Sequence, residues 1–153
     1  MKAITQTLLA AAAIALMATP SFAEDHATKD EATAMVNKAV ALIKSAGPEK
    51  AYTAIDDKAN ADFHVKDLYI MVYDLDGKCL AHGVNAKLIG KDMSDAQDSD
   101  GVFYIKDRVK LAQSQPSFWQ DYKFTNPVSK KIEPKTTFCE RLENTAVCGG
   151  IYK

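Results

Sequence analysis

The stretch Leu68-Tyr69-Ile70-Met71-Val72-Tyr73-Asp74-Leu75-Asp76-Gly77 decides how the rest of the chain is read. Its first six residues are apolar or aromatic without alternation. A strand built from them is apolar on both faces, which predicts a position inside a sheet. Asp74-Leu75-Asp76-Gly77 is a tight-turn sequence, and Lys78 to His82 returns from it as the neighbouring strand.

Outward from this hairpin the pattern alternates between helix and strand. Upstream, residues 28–46 predict an amphipathic helix. Thr28-Lys29-Asp30-Glu31 matches a capping box. Ala32, Met35, Ala39, Leu42 and Ala46 follow helical spacing, with Val36 and Ile43 widening the stripe. Gly47-Pro48 ends it, and Pro48 suits the first turn of a second short helix through about Asp57. Downstream, residues 84–101 are polar and predict a loop. Val102, Ile105, Val109 and Ala112 then predict a helix capped at Asp98/Ser99. Ser117 to Phe124 reads as a third strand, and residues 135–152 as a terminal hairpin. This order predicts an α+β domain: an antiparallel sheet of about five strands with the long N-terminal helix packed across one face.

The terminal hairpin carries a second expectation. A two-residue turn at Glu143-Asn144 pairs Leu142 with Thr145 and, three steps on, sets Cys139 directly opposite Cys148. That is a non-hydrogen-bonded pair, where Cα atoms approach to about 4.5 Å, within reach of a disulfide. The alternative is two buried thiols in a reduced sheet. Cys79 is the odd thiol. No C-x-x-C or C-x-x-C-H is present, so redox and haem-attachment motifs are lacking.

The first residues read as a signal for export. Lys2 precedes an Ala/Leu/Ile run from Leu8 to Met17, then Pro20 and the small-x-small site Ser21-Phe22-Ala23. The run is short for a bilayer span, the alternative being an uncleaved anchor. Cleavage after Ala23 is expected, leaving residues 24–153 as one mature domain, periplasmic or secreted and without membrane insertion. Lys2 is the one charged residue of the leader, so the mature part holds 18 basic against 20 acidic residues. There is no basic excess to suggest nucleic acid or an anionic membrane as partner.

Catalytic and metal motifs do not stand out in the chain. His26, His64 and His82 stand beside no nucleophile motif and at no H-x-x-x-H spacing. Asp98-Ser99-Asp100-Gly101 fails as a calcium loop, because its register puts Ala96 and Asp107 at the end ligand positions. No phosphate-cradling glycine loop is present, and no cofactor is expected. What remains is a set of amphipathic and basic residues in strands: Tyr73, His82, Trp119, Tyr122 and Lys135. A pocket for a small polar ligand needs such a mix of apolar walls and a few donors. The same residues also fit a plain reading, with Lys135 at a solvated edge and the aromatics in the core. Alternation puts Trp119 and Tyr122 on opposite faces, so a bulge is required for both to line one cavity.

From Asp67 to Tyr152 the chain resembles the single Cache domain family of extracytoplasmic sensors. The resemblance lies in Asp67-Leu68-Tyr69-Ile70-Met71-Val72-Tyr73-Asp74-Leu75-Asp76-Gly77, Leu80-Ala81-His82, Gly90-Lys91-Asp92, Asp98 with Asp100-Gly101, Trp119-Gln120-Asp121-Tyr122 with Asn126-Pro127, Glu133-Pro134-Lys135, and Gly150-Ile151-Tyr152, in the family's order. It implies a PAS-like sheet that binds a small ligand, often a short carboxylic acid, an amine or a similar metabolite. Carried over residue by residue, it implies a pocket from His82, Trp119, Tyr122 and Lys135. Lys135 would pair with a carboxylate, and His82 and Tyr122 would donate to its oxygens. Trp119 would pack on the apolar part. Tyr73 and Met71 are wall candidates and Tyr104 an extra donor. Two departures stand out. Receptors of this family flank the domain with transmembrane helices, which the mature chain is not expected to have, and the Cys139/Cys148 pair is not a family feature.

The expected function is therefore a soluble periplasmic sensing or binding domain, not an enzyme, that hands its signal to a membrane-bound receptor or kinase or merely buffers its ligand. The rival is an exported enzyme or redox protein using Cys79 or His82. A lone Cys without an adjacent base argues against the rival.

Overall fold

The computed structural model describes residues 26–153, so the expected signal peptide at residues 1–23 lies outside the described residues. Helix α1 (Lys29–Ala46) is capped as the sequence predicts: Thr28 Oγ1 accepts from the Glu31 amide, and the Glu31 carboxylate accepts from the Thr28 amide. Its buried stripe is Ala32, Met35, Val36, Ala39 and Val40, while Ala46, placed on the stripe by spacing alone, is exposed. Helix α2 (Pro48–Asp56) follows directly through Gly47, whose φ of 83° the glycine tolerates without a Cβ clash.

Six antiparallel strands form the sheet: β1 (His64–Val65), β2 (Leu68–Asp74), β3 (Cys79–His82), β4 (Ser117–Thr125), β5 (Ile132–Leu142) and β6 (Thr145–Tyr152). The order is β1-β2-β6-β5-β4, with β3 pairing the same edge of β2 as β1 does, further along it. The sixth strand beyond the expected five is β1, two residues long, too short to leave a periodicity in the sequence. As expected, β2 is interior, with Leu68 to Tyr73 all buried.

Strict alternation along β2 divides the molecule. Leu68, Ile70 and Val72 join α1, α2 and Val147 in one apolar cluster. Tyr69, Met71 and Tyr73 join Tyr104, Tyr122, Cys139, Cys148 and Tyr152 in a second cluster on the opposite face. Gly149 lets α1 lie close to the sheet, since a Cβ there would sit 3.1 Å from Val36 Cγ2.

The β5–β6 register is the expected one, with Leu142 opposite Thr145 and Cys139 opposite Cys148. The two cysteines form a disulfide, at a Cα–Cα distance of 4.1 Å. Two expectations need correction between β3 and β4. Residues 84–101 contain a 3₁₀ turn at Ala86–Leu88 within the loop. Helix α3 is Tyr104–Ser114, not a helix from Val102, and Asp98 is not its N-cap. The Asp98 carboxylate instead accepts from the amides of Asp100, Val102 and Lys123, which closes the turn locally and ties it to β4. Val102 is left 38 % exposed, and the buried face of α3 rotates to Tyr104, Ile105, Arg108 and Ala112.

Candidate binding site

The second cluster is not a plain apolar core, because two cations are sealed inside it. Arg108, from α3, has no exposed surface and Lys135, from β5, has 1 %. Burying a charge is costly unless it is paired. Among the described residues neither makes a salt bridge to a carboxylate. Aromatic rings surround them instead. Lys135 Nζ lies 4.1 Å from the Tyr69 ring centre and 4.9 Å from that of Tyr152, and it donates to Tyr69 Oη at 2.8 Å. The Arg108 guanidinium carbon lies 5.3 Å from the ring centres of both Tyr73 and Tyr122. Ring faces stabilise a desolvated cation by about 2 kcal/mol, less than full compensation for its lost hydration.

Both cations retain unused hydrogen-bonding capacity. Arg108 Nε donates to Gln120 Oε1 at 3.0 Å, and Gln120 Nε2 is held in turn by the Tyr104 carbonyl. The two terminal nitrogens of Arg108 are buried without a hydrogen-bond partner. They form the planar fork that recognises a carboxylate bidentately.

His82 contributes a third donor. Its Nδ1 receives the Asn85 amide at 3.1 Å, so it acts as acceptor and the ring proton resides on Nε2. Nε2 is buried and has no partner. Burial, with the charges of Lys135 and Arg108 adding to it, pushes the His82 pKa down to about 3, so the ring is neutral at physiological pH. The His82 amide is pinned to the Asp56 carboxylate at 2.8 Å, which fixes the end of β3. Tyr122 completes the set. Burial opposes ionisation of its phenol, but Lys135 and Arg108 prevail and bring it down to about 8, and Thr137 Oγ1 donates to its oxygen. Burial likewise pushes Lys135 down to about 8, with Arg108 adding to the effect and Tyr122 and Asp67 opposing it.

The tertiary structure brings together His82, Tyr122, Lys135, Tyr73, Met71 and Tyr104 on one face of the sheet, all buried. Tyr104 stacks on Tyr122 at 4.8 Å between ring centres, so it is wall as well as donor. Trp119 is not brought to this face. β4 pairs with β5 from Ser117 to Thr125 without a bulge, so Trp119 points opposite to Tyr122. It is 36 % exposed, 5.3 Å from Phe138, with Lys29 Nζ over its ring. The sequence reading missed Arg108, Tyr69, Gln120 and Tyr152. Arg108 left a signal: it lies three residues after Ile105 and four before Ala112, a charged residue on an apolar helical stripe.

Gly150 is a steric condition for the site. A Cβ there would stand 2.4 Å from both Lys135 Cε and Thr137 Oγ1, so only glycine lets the lysine stem lie across β6.

A sheet sealed by helices on one face and holding a buried, donor-rich, cationic cluster on the other is the plan of a PAS-like small-ligand sensor domain. The chain belongs to the Single Cache domain 2 family, whose model matches residues 3–148. Cache domains are extracytoplasmic sensor domains that bind small ligands. Three solved structures share the fold. A methyl-accepting chemotaxis protein from Vibrio parahaemolyticus is 24 % identical at a TM-score of 0.70, over 81 % of this chain and 87 % of its own. A periplasmic sensor domain of a chemotaxis protein is 23 % identical at 0.63, over 80 % and 88 %. A Cache chemosensory domain described for its recognition of carboxylic acids is 21 % identical at 0.65, over 80 % and 86 %. No helix of the described residues is long and apolar enough to cross a membrane.

Proposed function

We propose that this protein is an exported, periplasmic sensor module that binds a short carboxylic acid in the buried site between the sheet and α3. One observation carries the reading: among the described residues Arg108 and Lys135 are both buried without a salt bridge to a carboxylate, and both Arg108 terminal nitrogens lack a hydrogen-bond partner. An anion entering this cluster gains charge-assisted hydrogen bonds that the protein does not supply itself. The Arg108 fork takes both carboxylate oxygens. Lys135 and the His82 Nε2–H are the remaining donors, and Met71, Tyr73 and Tyr104 form the wall around the carbon chain. Carboxylic acid recognition by a Cache domain of the same fold supports the class of ligand. The Leu8–Met17 run and Ser21-Phe22-Ala23 support export. The bound form would then be read by a membrane receptor or kinase.

The rival reading through Cys79 loses its chemistry in the fold. The thiol is buried, donates to the Ala81 carbonyl, and is lifted by burial to about 11. A thiol so protected is a poor nucleophile at neutral pH. His82, pushed down to about 3, is a poor base.

Calorimetry with a series of short unbranched monocarboxylates, the matching amides and the matching amines tests the reading. The carboxylates should bind and the amides and amines should not. Arg108→Met and Lys135→Met should each weaken binding by roughly tenfold to a hundredfold for every bond lost, since each charge-assisted bond contributes about 1.5–3 kcal/mol. Binding of amines alone, or unchanged affinity in both variants, would remove the carboxylate assignment.

A further inference from the structure

A groove of about 310 Å³ opens beside the buried site, between the β3–3₁₀ connection and the β4–β5 turn. Its lining includes Lys58, His64, Lys66 and Lys130 and no carboxylate. Lys66 is committed to Glu31 and the His26 carbonyl, and Lys130 caps the Pro127 carbonyl. Lys58 Nζ has no hydrogen-bond or ion-pair partner among the described residues, although its charge is felt at His82. His64 Nδ1 meets the Lys58 carbonyl at 3.1 Å, so it donates. Its Nε2 is then a buried acceptor with no hydrogen-bond partner.

Three groove residues also belong to the buried site's boundary. Asn85 supplies the amide that fixes the His82 tautomer, and Val84 packs against the tyrosine cluster. Phe124 lies in both regions. It lines the groove, and on its inner side Lys135 Nζ is 5.5 Å from its ring centre, with Tyr104 and Tyr122 at 5.9 Å and 6.1 Å. One phenyl ring therefore stands between a basic groove open to solvent and a buried lysine.

We infer that this groove is the docking port through which a small carboxylate reaches the buried site, with Phe124 as the gate. The inference rests on the carboxylate reading for the identity of its ligand. Like charges in a concave, low-dielectric lining concentrate anions and raise association rates. A ring on a strand, held by edge contacts to two tyrosines, can swing to a second rotamer without breaking the β4–β5 ladder. Lys58, Lys66, His64 and Lys130 are thereby positioning residues for entry, and the bonds that hold the ligand are made elsewhere.

Amide NMR titrations of the mature protein test port and site separately. With sodium sulfate at constant ionic strength, saturable shifts should appear at Val84, Asn85, Thr125, Asn126 and Val128, and vanish in Lys58→Gln/Lys130→Gln. Their absence in the wild type overturns the port. With sodium acetate, shifts should extend to Arg108 and Lys135. Lineshapes should give an association rate about threefold to tenfold lower in the double variant at low salt, with dissociation unchanged. Phe124→Ala should raise both rates together. Acetate shifts around Arg108 with an association rate indifferent to both variants would overturn the port and leave the buried site standing. Sulfate shifts in the groove with no acetate response at Arg108 would overturn the carboxylate site and with it the port, leaving only a groove that binds anions.

Discussion

On one side of β2, Leu68, Ile70 and Val72 are buried among Val36, Ala39 and Val147. On the other side, Tyr69, Met71 and Tyr73 are buried among tyrosines, a disulfide and two cations. The same strand supplies both sets in alternation, so backbone and position are held constant. What differs is what each face does with burial. The helix face converts apolar area directly into stability, about 1.5–3 kcal/mol for each large side chain. The site face retains unbonded donors that a well-satisfied core would not contain. A binding site needs groups whose partners are to come from outside, and the first face supplies the stability that lets the second keep them.

The sharpest test sets the faces against each other. Ile70→Ala opens a cavity on the helix face and should cost about 2–5 kcal/mol in urea unfolding, with the affinity of the folded fraction unchanged. Arg108→Met should do the reverse, with ligand-free stability changed by about 1–3 kcal/mol at most, since a buried charge is removed while Gln120 Oε1 loses its donor, and with carboxylate binding strongly weakened. A large destabilisation by Arg108→Met would show that the cation holds the fold, and would break the contrast.

The disulfide belongs to the site face yet acts on the whole domain. Cys139→Ser/Cys148→Ser should lower stability by about 3 kcal/mol in the chain-entropy model, with both faces unfolding together. Separate transitions by tyrosine fluorescence and far-ultraviolet dichroism would show that the faces are independent units.

Gly150→Ala is a smaller perturbation aimed at one contact. The methyl must displace the Lys135 stem, and overpacking of this kind costs about 1–3 kcal/mol. Carboxylate affinity should fall along with stability, whereas Gly149→Ala, against Val36, should lower stability alone. Equal affinities in the two variants would separate Lys135 from the site.

The smallest effect is on pH. Lys135 and Tyr122 both titrate near 8 in the ligand-free protein. The lysine is charged below that value, so carboxylate affinity should be flat from pH 6 to 7 and fall up to about tenfold per pH unit above 8. His82 stays neutral throughout this range. Lys135→Met should flatten the profile, and a persistent fall would assign it to Tyr122.

Much of the fold was legible in the sequence because its signals are local. The period of α1, its Thr28–Glu31 capping box and the Glu143-Asn144 turn are each decided within a few residues. The register that pairs Cys139 with Cys148 follows from the turn by counting. The rotation of α3 was not legible. Asp98 bonds an amide on β4, 25 residues away, as well as the Val102 amide, so Val102 stays in the turn and α3 begins at Tyr104 with Arg108 on its buried face.

The sequence by itself therefore determined the elements, the alternation that separates Trp119 from Tyr122, and the membership of His82, Tyr122 and Lys135 in a cluster-forming set. Only the tertiary structure decided that the second cation is Arg108, that neither cation makes a salt bridge to a carboxylate among the described residues, and that Phe124 stands between the site and an open groove. The physical reason is range. Periodicity, capping and turn chemistry act over one to four residues, whereas an unpaired buried charge is a property of everything packed around it.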